Sequence, residues 1–243
     1  YERFMGRYSR PLASLFADFA RIAPGLTVLD VGCGSGALTD ELIARVGEPG
    51  VSAADPSGPL VDAVRARHPR ADVRNGSAED LPFRDGEFDA ALAQLVVHFM
   101  TDPVAGLREM ARVTRRHGTV AACVWDHAGR NGPLAAFWEA ARRIDPGVRD
   151  EGELAGTREG DLTRLMTAAG LTHVHEEPLT VRVTHGTFEE WWEPYTLGVG
   201  PSGVYAASLD EDRRAALREA CRELLPPAPF TVSGTAWAAR GTA

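Results

Sequence analysis

Residues 28–42, VLDVGCGSGALTDEL, place three glycines between a short apolar run and a segment in which Leu38, Leu42, Ile43 and Val46 fall on one helical face. Such a segment reads as strand, tight turn, helix. The glycines let the backbone turn sharply and approach a ligand closely, and the helix start presents unpaired N–H groups. The same order recurs downstream. VSAAD at 51–55 leads through a Pro/Gly turn to a helix near 59–67, followed by ADVRN at 71–75 and FDAALAQLV at 88–96. Asp102 then supplies an N-cap with Pro103 in the first helical position, the helix runs through Leu107, Met110 and Ala111, and GTVAACVW at 118–125 makes a fifth strand. Alternation of this kind predicts an α/β fold, a parallel sheet with helices on both faces.

Flanking this core, Pro11 heads a stretch with Leu12, Leu15, Phe16, Phe19 and Ile22 at helical spacing, ended by Pro24-Gly25. The second half is less regular. A helix is expected at 133–144, then a Gly- and charge-rich connection at 145–160 with the composition of a mobile lid. Asp161 opens a helix that stops at Gly170, and THVHEEPLTVRV alternates as a long strand. Thr187 with Glu190 and Ser208 with Glu211 have capping-box spacing, each opening a helix, and FTVSGTAWAA at 230–239 reads as a last strand.

Composition removes several functions. With 34 acidic against 26 basic residues the formal charge is −8, the wrong sign for a nucleic-acid binder. All the basic residues are arginine, so mechanisms built on a lysine amine are excluded. Cys33, Cys123 and Cys221 are far apart and form no C-x-x-C, which points to a reducing, cytoplasmic setting without a thiolate metal site. No apolar run approaches membrane-spanning length, and the opening residues resemble no export or transit signal. His173 and His175 lie two apart on the long strand but have no third ligand, so no metal is expected.

What the glycine turn holds depends on its acids. Gly32, Gly34 and Ala37 satisfy the dinucleotide fingerprint, with Asp55 near the position of a ribose-binding acid, so an NAD(P)-dependent oxidoreductase is one reading. Asp30 weighs against it. A carboxylate at the strand end would face the pyrophosphate, whereas a ligand bearing an ammonium would be drawn to it.

With D-x-G-x-G-x-G at 30–36, the chain resembles the class I S-adenosylmethionine-dependent methyltransferases, in particular the small-molecule group called methyltransferase type 11. GSAEDLPFRDGEFDA at 76–90, AQLVVHF at 93–99 and the opening YERFMGRYSRPL are similar to further family segments, so the resemblance covers roughly residues 1–125. It implies a single Rossmann-like domain over 1–243 with a mostly parallel seven-stranded sheet and an antiparallel last strand. A cofactor core at about 23–125 would be covered by helical lid insertions at about 1–22, 131–169 and 185–225. It also implies S-adenosylmethionine as methyl donor, S-adenosylhomocysteine as product and a small-molecule acceptor. The cofactor residues carried over are Arg7, Tyr8, Asp30, Gly32, Cys33, Gly34, Asp55, Pro56, Ala78, Glu79, Gln94 and His98. A protein that binds the cofactor without catalysis has the same signature.

Methyl transfer from a sulfonium needs no covalent enzyme intermediate. The protein's task is to hold nucleophile and methyl at attacking distance and to exclude water. If the acceptor must lose a proton, His98 after the fourth strand is the expected base, with His127 after the fifth behind it. Trp191, Trp192 and Tyr195 form either an aromatic acceptor wall or ordinary core. Oligomeric state is left open.

Overall fold

The computed structural model describes residues 5–243. Helix α1 (Gly6–Phe19) precedes the alternating core of β1 (Val28–Val31), α2 (Ala37–Val46), β2 (Val51–Asp55), α3 (Gly58–Arg67), β3 (Asp72–Asn75), β4 (Phe88–Gln94), α4 (Pro103–Val113) and β5 (Thr114–Trp125). Then follow α5 (Ala135–Ile144), α6 (Asp161–Ala168), β6 (Thr172–His185), α7 (Phe188–Trp192), α8 (Gly200–Ser208), α9 (Glu211–Leu224) and β7 (Phe230–Thr242). The seven strands form one sheet in the order β3-β2-β1-β4-β5-β7-β6. The first five strands pair in parallel, and β7 runs antiparallel between β5 and β6.

The central strand β1 is covered on both faces. All four residues of β1 are buried, and alternate residues serve opposite layers. Leu92 and Cys123 pack with α1, α2, α5 and α9, while Ala91, Ala93, Val120 and Ala122 pack with α4 and α6. Leu38 and Leu42 of α2 are almost fully buried, each contributing roughly 1.5–3 kcal/mol of apolar transfer. Beta1 and β4 are neighbours whose chains continue in opposite directions across the sheet, so a crevice opens at their carboxyl ends.

Four expectations are corrected. Pro11 lies inside α1 instead of heading it, because burial of Met5, Tyr8 and Ser9 carries the helix back to Gly6 despite the N–H that proline lacks. Beta5 begins at Thr114, four residues early. Gly118 allows this: a Cβ there would meet the Asp89 carbonyl oxygen at 2.6 Å, and the ladder shifts register between Phe88 and Ala90. Asp210, not Ser208, caps α9, accepting from the Arg213 N–H, while the Ser208 hydroxyl donates to the Tyr205 carbonyl. Segment 145–160 is no loose lid: Glu151, Gly152 and Thr157 are buried, and Asp150 accepts from Arg142 and from the Gly152 N–H.

Two capping expectations match. Asp102 caps α4 through the Val104 and Ala105 N–H groups, and Thr187 caps α7. Among the described residues no His/Cys/Asp/Glu group could hold a metal, and no helix is long and apolar enough to cross a membrane. The two histidines do not share a strand face. His173 has a φ of 52° at a bulge, and His175 pairs with Glu177.

Candidate active site

At the head of the β1–β4 crevice the backbone makes the turn that the glycines permit. Gly32 and Gly34 have φ of 72° and 52°, left-handed values that most side chains resist. At Gly32 there is also no room, since a Cβ would lie 2.5 Å from Val96 Cγ2. Beta2 anchors the turn: the Gly32 and Cys33 N–H groups donate to the Ala54 carbonyl. Asp55 completes the anchoring, its two carboxylate oxygens accepting from the Gly34 and Ser57 N–H groups at 2.8 Å each.

This turn forms one wall of a cleft of about 350 Å³, within the range of small-molecule sites. Asp30, Gly32, Cys33, Gly34, Asp55, Pro56 and Gln94 all line it. Asp30 is buried at the end of β1 and accepts the Thr39 hydroxyl at 2.6 Å. Burial, opposed by that hydrogen bond and reinforced by the neighbouring Asp55 charge, lifts its carboxyl to about 7. Gln94 donates to the Ser9 carbonyl at 3.0 Å, leaving its Oε1 buried without a partner. Burial pushes the Cys33 thiol well up, which makes it a packing residue rather than a nucleophile.

The remaining residues carried over lie elsewhere. Arg7 and Tyr8 turn away from the cleft: the Tyr8 hydroxyl is 2.9 Å from His185 Nε2, and Arg7 pairs with Glu190 and lies 3.3 Å from His185 Nδ1. Ser9, the next residue, faces the cleft in their stead. The other residues of the opening expected to close over the cofactor, 1–4, lie outside the described residues. Ala78 is core beneath α4, and Glu79 accepts from the Thr101 N–H at 2.8 Å, securing the loop before α4. Neither lines the cleft.

His98 belongs to a second cavity, of about 260 Å³, whose walls share Leu95 and Phe99 with the first. His98, His127, Trp125, Glu151 and Ser202 supply its polar groups, and Met5, Leu134, Val199 and Pro201 are among its apolar ones. The two imidazoles meet edge to face at 6.2 Å between centroids. Burial, aided for His98 by His127, holds their pKa values at about 3 and about 4, so both rings are neutral near pH 7. Leu95, between the cavities, has φ 62°, a strained value for leucine. Trp191, Trp192 and Tyr195 are core, stacked among Phe137 and Phe188.

Several lining residues escape sequence reading. Leu60 carries no motif, and Ser9 and Phe99 lie in family-like segments without being singled out there, although the two-thirds exposure of Phe99, an aromatic ring at a cleft rim, is a structural signal of function. Glu151, at the start of a short 3-10 turn, and Ser202, in the first turn of α8, lie where nothing in the sequence marks them.

The chain is similar to known proteins. The family described as methyltransferase domain matches residues 29–122, spanning the turn and β1 through most of β5. An uncharacterized methyltransferase of Mycobacterium tuberculosis is 34% identical over 164 residues, which are 68% of this chain and 58% of the relative. The chain thus spans less than two thirds of that relative's length. A second, uncharacterized protein of Mycobacterium tuberculosis is 30% identical over 217 residues, covering 82% of this chain and 77% of its own. The solved structure of YcgJ from Bacillus subtilis has the same fold, with a TM-score of 0.61 at 18% identity over 97% of each chain. Turn, sheet order and sequence relatives agree, and the chain belongs to the class I S-adenosylmethionine-dependent methyltransferases.

Proposed function

We propose that this protein transfers a methyl group from S-adenosylmethionine to a small-molecule acceptor by in-line displacement. The observation that carries the reading is the charge of the first cleft. Two carboxylates, Asp30 and Asp55, and the unpartnered Gln94 Oε1 face one space, and no arginine is among its described lining residues. A dinucleotide pyrophosphate would lie against these acids, whereas an α-ammonium finds acceptors.

These residues fit the methyl donor. The ammonium would be held by Asp30 and Gln94, the ribose by Asp55, and the chain would pass close over Gly32 and Gly34. When bound, the donor supplies a methyl already activated by its sulfonium. The protein's own residues bind, orient and keep water out, with Leu95 and Phe99 as the partition across which the acceptor must approach.

Thermal unfolding with S-adenosylmethionine, S-adenosylhomocysteine, NAD and NADP tests the reading. A ligand at about 100 times its Kd adds roughly 2.7 kcal/mol, a shift of several degrees at this size. Shifts are expected with the two adenosyl compounds alone. A shift with NAD or NADP alone overturns the proposal and hands the cleft to an oxidoreductase.

A further inference from the structure

Ten buried side-chain polar atoms lack a hydrogen-bond partner among the described residues, and four of them belong to the second cavity: His98 Nδ1, Trp125 Nε1, Glu151 Oε2 and Ser202 Oγ. A buried polar group without a partner is destabilising, so four on residues that line one cavity point to a ligand that pairs with them. Resting on the reading of the first cleft as the methyl-donor site, we infer that the second cavity binds a neutral, largely apolar acceptor through an aromatic or enolic hydroxyl, and that Glu151 is the base that takes the hydroxyl proton.

The inventory of donors and acceptors selects the hydroxyl. Trp125 Nε1–H can only donate, and a Glu151 carboxylate can only accept. An ammonium offers donors alone, leaves the indole unpaired and adds a cation beside the sulfonium. A carboxylate offers acceptors alone and would be buried against Glu151, with no arginine among the described residues of the cavity to neutralise it. A hydroxyl does both. Met5, Leu95, Phe99, Leu134, Val199 and Pro201 supply the apolar wall for the rest of the molecule.

Three observations single out Glu151 over the histidines. It is 5% exposed, and the chain is held at the next residue: Asp150 accepts from the Gly152 N–H at 2.9 Å, and the Thr157 hydroxyl donates to the Gly152 carbonyl at 3.0 Å. Burial raises its carboxyl to about 7, against the pull of its own backbone N–H, which poises it to exchange a proton near neutrality. His98 and His127, held at about 3 and about 4, are far weaker bases and serve as neutral hydrogen-bonding groups. In the transfer, the acceptor oxygen bonds to the methyl carbon as the carbon–sulfur bond breaks and its electron pair stays on sulfur. The hydroxyl proton passes to Glu151 and from there to solvent, balancing the charge lost by the sulfonium.

Calorimetric titration of the protein saturated with S-adenosylhomocysteine tests the ligand class, with para-propylphenol, para-propylbenzoate and para-propylbenzylamine as probes. Phenol binding at least about tenfold tighter than that of the other two is expected, and Ser202→Ala is expected to weaken it about fivefold with the affinity for S-adenosylhomocysteine unchanged. Equal or preferred binding of benzoate or amine, or no phenol binding, overturns the assignment. Failure to bind S-adenosylhomocysteine at all is instead a failure of the cofactor reading, so the two are distinguished.

Methyl transfer tests the base. Glu151→Gln is expected to lower kcat on para-propylphenol about 100-fold, and to change it less than about threefold on para-nitrophenol at about pH 8, where that phenol is already ionised. An equal loss on both phenols, or phenol binding with no transfer to either, removes Glu151 from the proton's path. Retained S-adenosylhomocysteine affinity in the variant shows that it is folded.

Discussion

The two cavities meet at Leu95 and Phe99 but are built in opposite ways. Apart from Ser9 of α1, the first takes its polar groups from the β1–turn–α2 unit, the end of β2 and the end of β4. The second gathers Met5, Trp125, His127, Glu151 and Ser202 from segments up to about 200 residues apart, mostly loops and helix ends. The first is acidic, with carboxylates held by backbone N–H groups or a hydroxyl. The second has two uncharged imidazoles and a single carboxyl, raised to about 7 like that of Asp30. A site that must recognise one fixed cationic ligand can be built from a local motif. A site for a neutral, variable acceptor is assembled by tertiary packing.

If the cavities are separate in function, damage to one should spare the other. The largest effect is expected from Gly32→Val, which drives a branched side chain into Val96 at a φ of 72°. S-adenosylhomocysteine binding should weaken by more than about 100-fold in calorimetry, with a stability loss of about 1–3 kcal/mol or more in urea unfolding. Next come Asp30→Ala and Asp55→Ala, each expected to weaken cofactor binding by about 1–3 kcal/mol. Asp55→Ala should also lower the melting temperature, because the Gly34 and Ser57 N–H groups lose their acceptor. Unchanged affinity in both variants would break the assignment of the first cleft.

A pH effect is expected from Asp30. Asp30 has a folded pKa of about 7 against an ordinary 3.8, so the folded protein binds the proton more tightly than the unfolded chain does. Its contribution to stability is present below pH 3.8 and is lost as pH rises to about 7. The cofactor-free protein should therefore become less stable over this window in denaturant titrations, and Asp30→Asn should flatten that slope. Glu151 contributes in the same direction, so the double substitution with Glu151→Gln should flatten it further.

The smallest effect is expected at Arg7. Its ion pair with Glu190 is about a third exposed on either side, and Arg7→Ala should cost no more than about 1 kcal/mol in thermal unfolding. Cofactor affinity should not change, since the side chain faces His185 and Glu190 and not the cleft. A tenfold loss of affinity would show instead that α1 rearranges over the ligand.

Legibility in the sequence follows the same division. Asp30, Gly32, Gly34 and Asp55 were readable because turn chemistry and strand ends fix their relative positions within a few residues of chain. Arg7 and Tyr8 were assigned to the cofactor by resemblance, but in this chain His185 and Glu190, contributed by β6 and the start of α7, offer them closer partners. Glu151 escaped because a Gly- and charge-rich segment reads as solvated. Only the folded chain shows Asp150, Arg142 and Thr157 pinning it inward. Helix α8 escaped because Gly198, Gly200, Pro201 and Gly203 are turn signals, although Pro201 sits in the first helical turn, where its missing N–H costs nothing.

The thin partition of Leu95 and Phe99 has a pharmacological consequence. Two ligands separated only by a shared wall can be joined by a link of a few atoms, and the second half then binds at the effective concentration set by that link rather than at its concentration in solution. A bisubstrate compound, an adenosyl amino acid tethered to an alkylphenol, would exploit both cavities at once. Its affinity would approach the product of the two separate affinities, and it would discriminate this protein from relatives whose cofactor turn is the same but whose second cavity differs.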